Sequence, residues 1–428
     1  MTMAARHVWV RLHRWAGLLT ALFLCVTGLT GAVLVFEEEL DAWLNPSLLR
    51  VAVPADGSGP MDPFALREAV QRQLAWALVD QVPLRREPGH AVTLRLTPRP
   101  GAAQHRPDAP DAASASGKTS AGTPAPAATH AFADPYTGRV LGVRQEGRLS
   151  LARQDLLPML YRIHCELALP GIWGKLLLGA IALVWTLDCF VGLVLTLPTR
   201  GARRAGFWRG WRPAWLIKPG AGPARLTLDL HRAFGLWLWA LLLVYAWSSV
   251  MFNLRAPVYQ PVMSLFLPFD TSWRQAPVLP APIARPGLDW RAAHQAARRE
   301  MARLARERGF VVDGEELLML DRRRGLYAYL VHSDADLRRR VGNTAILIDA
   351  AGGERRGIYL PTRGEAGDTL SNWLGALHMA HVFGLPYRIL ASLIGLATAA
   401  LSVTGVMIWL RKRRGRAAGR AQRNSQAA

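Results

Sequence analysis

Four histidines of the sequence stand in matched surroundings, two by two. Leu12-His13-Arg14 matches Leu230-His231-Arg232, and Ile163-His164 matches Leu377-His378. The interval from His13 to His164 is 151 residues, and that from His231 to His378 is 147 residues. Each pair therefore holds equivalent positions in two halves of a repeated chain. Two-fold packing of the halves would bring the members of each pair face to face.

Two imidazoles on opposing helices form the axial ligand set of a haem iron. The neutral imidazole binds metal, and burial favours the neutral form. A zinc ion would need three or four ligands close together, so two histidines at each level are too few. The chain contains no Cys-x-x-Cys-His motif. The residues therefore predict two non-covalent haems of the b type, one held by His13 and His231 and one by His164 and His378.

Other polar residues near the histidines are weaker candidates. His381 lies one turn after His378 and could replace it or contact a haem propionate, but only His378 matches His164 in the repeat. Arg14 and Arg232 follow the first two histidines directly and could pair with propionates. The same two arginines could serve only as anchors at the membrane surface.

Four apolar runs must position the histidines. They cover Trp15–Phe36, Leu176–Leu197, Ala233–Phe252 and Ile389–Leu410. As helices, runs of about 20 residues reach about 30 Å, enough to cross the hydrocarbon core, and a helix satisfies its own backbone there. The second run alone contains a charged residue, Asp188, which could relay a proton, pair with a polar neighbour or stay protonated. The sequence predicts four transmembrane helices, the first an uncleaved anchor.

Basic residues cluster beside these runs and indicate an orientation. Residues 1–14, 199–232 and 411–428 hold eighteen Lys and Arg against one acid, in a chain of net charge +21. By the positive-inside rule, both termini and the middle loop are predicted to be cytoplasmic. The basic runs then face anionic lipid head groups, and no nucleic-acid partner is expected.

Two segments remain on the other side, 37–163 and 254–377, and they resemble each other. The first has a helical stretch at Pro63–Val79 and a strand at Ala91–Thr97, and the second a helix at Trp290–Arg308 and strands at Leu317–Leu320 and Leu326–Val331. Each continues into an Asp-x-x-x-Gly turn, Asp134 to Gly138 and Asp349 to Gly353, whose glycine supplies a positive φ. Residues 101–130 are rich in Ala, Pro, Ser, Thr and Gly and are predicted to form a flexible insertion.

These features give the domain organisation. With 51% hydrophobic residues the chain can bury a core, and three cysteines in 428 residues exclude a disulfide framework. The predicted parts are a first helix (1–36), an outer domain (37–163), a second helix (164–198), a basic loop (199–229), a third helix (230–253), a second outer domain (254–377), a fourth helix (378–410) and a basic tail (411–428).

Several motifs together resemble the PepSY-associated transmembrane family of bacteria. They are Leu12-His13-Arg14-Trp15-Ala16-Gly17-Leu18, Thr27-Gly28-Leu29-Thr30-Gly31, Asp229-Leu230-His231-Arg232, Leu377-His378 and Val403-Thr404-Gly405-Val406-Met407-Ile408-Trp409. The stretch Asp134-Pro135-Tyr136-Thr137-Gly138-Arg139-Val140-Leu141 is similar to the outer PepSY-like domains of that family. The resemblance covers nearly the whole chain.

The resemblance implies an inner-membrane protein of four helices with two periplasmic α/β domains. Members are associated with iron uptake and include ferric-siderophore reductases with two bis-histidine haems. The resemblance therefore implies that the haem ligands of this chain are His13, His231, His164 and His378. Two runs depart from the Thr-Gly pattern: Trp247-Ser248-Ser249-Val250-Met251 in the third and Leu187-Asp188-Cys189-Phe190-Val191-Gly192 in the second. We expect these departures to affect helix contacts rather than ligands.

The expected function is therefore electron transfer across the membrane. A quinol or a cytoplasmic reductant would supply the electron, which would pass from the His13–His231 level to the His164–His378 level and reduce a ferric siderophore, releasing Fe(II). The main alternative is a membrane-anchored regulator, since PepSY-like domains also resemble peptidase-inhibitory modules and such a protein needs no cofactor. A transporter is a third interpretation, but it would need several polar groups near the middle of the membrane, and Asp188 is the one charged residue within the apolar runs.

Overall fold

The chain folds into two compact units. The structure is a computed structural model that describes residues 3–99, 129–199, 201, 206–270, 277–337 and 342–427, so residues 101–128 of the predicted insertion lie outside the described residues. The helical unit comprises Met1–Glu37, Leu160–Pro268 and Leu370–Ala428, and the sheet unit comprises Glu38–Met159 and Phe269–Thr369.

Helices and strands make up most of the described chain. In chain order, the helices are α1 Met3–Leu34, α2 Glu37–Leu44, α3 Pro46–Leu49, α4 Pro63–Gln73, α5 Leu156–Glu166, α6 Trp173–Thr196, α7 Phe207–Trp215, α8 Pro223–Trp237, α9 Trp239–Asn253, α10 Gln260–Ser264, α11 Trp290–Arg308, α12 Ala366–His378 and α13 Gly384–Ala427. The strands are β1 Ala77–Val79, β2 Gln81–Pro83, β3 Val92–Pro98, β4 His130–Ala133, β5 Val140–Arg144, β6 Val312–Asp321, β7 Leu326–Ser333, β8 Thr344–Asp349 and β9 Arg355–Tyr359.

Long apolar helices form the helical unit. Stretches of α1, α6 and α13 are each long and apolar enough to cross a membrane: Ala5–Leu34, Trp173–Thr196 and Gly384–Ala418. Helices α8 and α9 pass the same test only as a pair, and they are bent by 69° at the break between them. By length and composition, the described residues thus include three helices that could cross a membrane, or four if the bent pair is one span.

The bend in the third predicted span corrects the expectation of one helix over Ala233–Phe252. The break falls at Leu238, between two tryptophans whose indole N–H groups bond to different parts of the chain. Trp237 donates to the Trp215 carbonyl at 3.1 Å, and Trp239 donates to the Cys189 carbonyl at 2.9 Å. These two tertiary bonds accompany the bend, and the apolar run gives no sign of it because no proline interrupts the run.

Helices α1 and α13 approach closely because each presents a glycine at their crossing. A Cβ atom on Gly28 would lie 2.6 Å from the Gly395 carbonyl oxygen, and a Cβ atom on Gly395 would lie equally close to the Gly28 oxygen. Small residues at such a crossing let the two backbones pack in the absence of a hydrophobic driving force. Ser392, on the same face of α13, donates to the Ala32 carbonyl at 2.9 Å.

Two antiparallel sheets form the sheet unit. The first has the strand order β1-β3-β4-β5, and the second has the order β2-β6-β7-β8-β9. Strand β2 comes from the first outer segment but pairs with β6 of the second, from Gln81 opposite Met319 to Pro83 opposite Leu317. Beside this pairing, the buried carboxylate of Asp80 binds the guanidinium of Arg322 at 2.8 Å.

The repeat within the outer segments is visible in detail. Helix α4 begins after Asp62 and α11 begins after Asp289, and each aspartate accepts backbone N–H bonds of its own first turn. In the two Asp-x-x-x-Gly turns, the N–H of Gly138 donates to the Asp134 carbonyl and that of Gly353 donates to the Asp349 carbonyl, both at 2.9 Å. Both glycines have positive φ, +72° and +79°, as the sequence predicts.

One predicted helix is too long. The stretch Pro63–Val79 is helical only to Gln73, and its end, Ala77–Val79, is strand β1, paired with β3. The amide of Gln71 bonds this strand to the helix, since it donates to the Ala77 carbonyl at 2.8 Å and accepts from the Val79 N–H at 3.0 Å. Helix α11 has the predicted bounds, and the other predicted strands lie within β3, β6 and β7 or overlap them to within one residue.

Candidate functional site

The four repeat-matched histidines meet in two pairs in the helical unit. His13 on α1 faces His231 on α8, with ring centroids 6.1 Å apart and ring planes inclined by 60°. His164 on α5 faces His378 on α12, with centroids 6.4 Å apart and planes inclined by 65°. In each pair one ring comes from each half of the repeat.

The two pairs lie at different levels of the helical unit. Helix α1 shows their separation, because it carries His13 of one pair and contacts His164 of the other through Thr30. Thr30 comes 17 residues after His13, which is about 25 Å along an α-helix. The pairs are thus separated by most of the thickness of a hydrocarbon core.

A hydroxyl group on one of the apolar helices contacts the Nδ1 atom of three of the four rings. These contacts are Thr30 Oγ1 to His164 at 3.0 Å, Thr404 Oγ1 to His231 at 3.0 Å, and Ser248 Oγ to His378 at 2.7 Å. Thr30 and Ser248 lie 218 residues apart, the same interval as His13 and His231. They are therefore the same position of the repeat.

The direction of these three bonds follows from a second set of contacts. Each hydroxyl also lies within hydrogen-bonding distance of a carbonyl of its own helix: Thr30 to Val26 at 2.7 Å, Thr404 to Ala400 at 2.8 Å, and Ser248 to Tyr245 at 3.0 Å. Because a hydroxyl has one proton and the carbonyl can only accept, the hydroxyl oxygen is left to accept from the imidazole. Nδ1 then carries the ring proton, and Nε2 keeps its lone pair for a metal ion.

The fourth ring has a carboxylate instead of a hydroxyl. Asp188 Oδ1 on α6 lies 2.9 Å from His13 Nδ1, and the Asp188 side chain is only 11% exposed. A carboxylate that accepts from this nitrogen gives the ring an Nδ1–H and a free Nε2, as the three hydroxyls do for the other rings. Pairing with a polar neighbour was one of the three roles predicted for Asp188, and His13 is such a neighbour.

Glycines pack against the Cε1 atoms of three of the four rings. A Cβ atom would lie 2.9 Å from His164 if placed on Gly31, 3.3 Å from His231 if placed on Gly405, and 3.6 Å from His13 if placed on Gly192. Thus Thr30-Gly31 and Thr404-Gly405 each act on one ring, the threonine through Nδ1 and the glycine by leaving room for the ring.

The ring of His378 has an aromatic environment in place of a glycine. Ser249 occupies the position that corresponds to Gly31. The rings of Tyr245 and Phe252 lie with their centroids 5.1 Å and 5.3 Å from that of His378. Tyr245 also packs with Trp185 and Trp239 around a buried cluster between α6, α9 and α13.

The two pairs fit the ligand set of a haem better than that of a bare metal ion. Two imidazoles on opposite sides of one metal ion, each bound at about 2 Å, place their ring centroids roughly 6 Å apart. The observed centroid distances of 6.1 Å and 6.4 Å agree with that geometry. Among the described residues, no group of three or more His, Cys, Asp or Glu could hold a metal ion. Two histidines suffice where a porphyrin supplies the remaining donors.

The weaker predicted candidates lie beside these pairs. Arg232 binds the buried carboxylate of Asp229 at 2.9 Å and donates to the Pro213 carbonyl, while its buried Nε makes no hydrogen bond within the described part of the chain. Arg14 is half-buried next to His13. His381 follows α12, and it is His378 whose ring faces His164.

Sequence reasoning missed the residues that orient the imidazoles. The sequence shows Thr30 and Thr404 within Thr-Gly doublets, and it shows Ser248 where such a doublet is replaced. We expected the replacements to affect contacts between helices, not the ligands. The structure instead places Ser248 and Asp188, both from the departing runs, on Nδ1 atoms. The repeat itself held the signal, since Ser248 lies 218 residues after Thr30.

A protein-family model matches most of the chain. The family model described as "PepSY-associated TM region" matches residues 10–412 and so covers both histidine pairs and nearly the whole chain. No curated protein matches the chain.

Proposed function

The chain belongs to the family of the PepSY-associated TM region, and from this premise we propose that it is a haem b electron-transfer protein of a bacterial inner membrane. It moves electrons across that membrane, reduces periplasmic ferric siderophore and releases Fe(II) for iron uptake. In enzymatic terms it is a ferric-chelate reductase. The observation that carries the proposal is the meeting of repeat-matched histidines in two pairs, with centroids 6.1 Å and 6.4 Å apart.

His13 and His231 would hold one haem, and His164 and His378 the other, each through Nε2. When bound, each haem supplies a one-electron Fe(III)/Fe(II) couple whose potential depends on its ligands and their hydrogen bonds. The side chains Asp188, Thr404, Thr30 and Ser248 hold the imidazoles in the ligating tautomer. Gly31, Gly192 and Gly405 leave the rings space.

Two levels of ligands, about 25 Å apart along α1, suit transfer across a membrane better than chemistry at one surface. The basic residues beside the spans support cytoplasmic termini. This orientation puts the His13–His231 level near the cytoplasm, where a quinol or a cytoplasmic reductant supplies electrons. The His164–His378 level then lies near the periplasm.

The proposed substrate is a ferric siderophore. Each electron delivered converts one chelated Fe(III) to Fe(II), and siderophores bind Fe(II) far less tightly than Fe(III). Reduction therefore releases the metal without destroying the chelator. Lipid is the other partner of the helical unit, and no nucleic acid is involved.

Haem content tests the proposal most directly. Purified full-length protein, produced with ample haem supply, is expected to contain two haems per chain by the pyridine-haem assay. His164→Ala or His378→Ala should leave one haem with an intact spectrum. Loss of both haems in either variant would contradict separate sites, and a colourless wild-type protein would favour the membrane-anchored regulator.

Reduction itself is tested in sealed vesicles. A reductant is enclosed on the cytoplasmic side, and a ferric siderophore with a Fe(II)-specific chromogenic chelator is placed outside. Wild-type protein should produce external Fe(II), and His378→Ala should not. Equal Fe(II) production by both proteins would overturn the reductase assignment while leaving haem binding intact.

A further inference from the structure

The hydrogen bonds to the four imidazoles are alike except at one ring. His164, His231 and His378 each give their Nδ1 proton to a neutral hydroxyl. His13 alone faces a carboxylate, Asp188, at 2.9 Å. The two levels therefore differ in their hydrogen-bond acceptors: the His13–His231 pair has a carboxylate and a hydroxyl, and the His164–His378 pair has two hydroxyls.

The carboxylate replaces a hydroxyl that the repeat would provide. Gly192 packs on His13 as Gly405 packs on His231, so these two glycines are equivalent. Thr404, just before Gly405, then corresponds to Val191, which has no polar group. Asp188 lies one turn earlier on the same helix and reaches the ring that Val191 cannot bind.

A carboxylate that accepts from Nδ1–H acts on the ligand more strongly than a hydroxyl does. It draws the proton toward itself, so the imidazole gains negative charge and becomes a more basic ligand. Its own charge adds to this effect, because the side chain is mostly buried and poorly screened. Both effects stabilise Fe(III) relative to Fe(II), which lowers the reduction potential.

We propose that Asp188 is a positioning residue that gives the His13–His231 level a lower reduction potential than the His164–His378 level. This inference rests on the proposed function. The difference in potential gives electron transfer a direction. The electron lost on oxidation at the His13–His231 level is gained on reduction at the His164–His378 level, and this transfer is downhill in free energy. In the proposed orientation, downhill means from the cytoplasmic to the periplasmic side.

The test measures a midpoint potential rather than activity, in full-length protein that contains one haem. In the His164→Ala background, the remaining haem is the one held by His13 and His231. Asp188→Asn keeps an oxygen that can accept from Nδ1 but removes the charge. We expect the Fe(III):Fe(II) ratio at a fixed potential to fall about tenfold, an upward shift of about 59 mV for a one-electron couple. Thr404→Val, in the same background, removes a neutral acceptor and should shift the potential less.

A reciprocal variant decides the matter if Asp188→Asn loses its haem. In the His13→Ala background, Thr30→Asp places a carboxylate beside His164, and the potential of the remaining haem should fall. An unchanged potential in a haem-loaded Asp188→Asn or Thr30→Asp protein would overturn the inference and leave the proposed function standing. Wild-type protein without haem would instead overturn the proposed function itself.

Discussion

The Nδ1 atom of His164 lies 3.0 Å from the Thr30 hydroxyl, which contacts the Val26 carbonyl at 2.7 Å. This chain of bonds fixes the ring proton on Nδ1 and holds the ring plane. Thr30→Val removes the hydroxyl that accepts from the His164 Nδ1–H and so weakens the restraint on the ring. We expect the affinity for one of the two haems to fall about tenfold or more, the usual effect of losing a ligand-orienting bond.

Haem titration of the depleted protein measures this change. Thr27→Val is the matched control, because Thr27 lies one turn earlier and its hydroxyl contacts the Phe23 carbonyl at 2.9 Å. The control should bind both haems with wild-type affinity. If the two valine variants behaved alike, the hydroxyl of Thr30 would have no role in ligand orientation.

The glycines beside the rings give a graded prediction. A Cβ atom on Gly31 would lie 2.9 Å from His164 Cε1, too close without a shift of a ring that Thr30 holds. On Gly192 it would lie 3.6 Å from His13 Cε1, an ordinary contact. Gly31→Ala should therefore reduce the haem content toward one per chain, whereas Gly192→Ala should keep two. The pyridine-haem assay distinguishes these outcomes, and equal haem loss in both variants would contradict the ring positions.

The histidine pairs could be predicted from the sequence because their members occupy equivalent positions in the two halves of the repeat. Equivalent positions in two halves lie at the same level on either side of a two-fold axis, so the repeat alone pairs His13 with His231 and His164 with His378. That the rings meet also requires each pair to lie near the axis, which the centroid distances of 6.1 Å and 6.4 Å show. The hydroxyl contacts were harder to foresee. Whether Thr30 points at a ring or at lipid depends on the rotation of α1 about its axis, which hydropathy does not determine.

Other features depend on distant parts of the chain and left no local sign. The break at Leu238 lies between tryptophans that bond to the Trp215 and Cys189 carbonyls. Strand β2 has three residues and pairs with β6, more than 230 residues away. A strand that short is specified by its partner rather than by its own residues, so the sequence of the first outer segment could not reveal it.

The crossing of α1 and α13 predicts a stability effect that needs no cofactor. A Cβ atom on Gly28 would lie 2.6 Å from the Gly395 carbonyl oxygen, and backbone cannot move aside as a side chain can. Gly28→Ala should lower the free energy of unfolding by about 1–3 kcal/mol, the usual cost of overpacking. Gly17→Ala is the control, since a Cβ atom there would have no neighbour within 4 Å. Unfolding in mixed detergent micelles measures both, and an unaffected Gly28→Ala protein would contradict the close crossing.

In the sheet unit, a glutamate bound by three side chains predicts a pH dependence. Glu315 accepts hydrogen bonds from His294 at 2.8 Å and Tyr329 at 2.5 Å, and Arg298 lies 3.2 Å away. The bond from His294 is the largest cause that lowers the pKa of Glu315 below its ordinary value of 4.5, against an opposing effect of burial. A lowered folded-state pKa means that the ionised carboxylate stabilises the fold above pH 4.5 and that this contribution is lost as the pH falls below it.

Glu315→Gln should therefore destabilise the strands around it at pH 6, and the difference from wild type should shrink as the pH falls below 4.5. Hydrogen exchange of the β6 and β7 amides in the full-length protein, corrected for the intrinsic pH dependence, localises the effect. Glu307→Gln is the control, because Glu307 pairs with Arg303 on an exposed helix face, where an ion pair contributes little. A difference between wild type and Glu315→Gln that stayed constant from pH 6 to pH 3 would show that the carboxylate charge is not what stabilises this cluster.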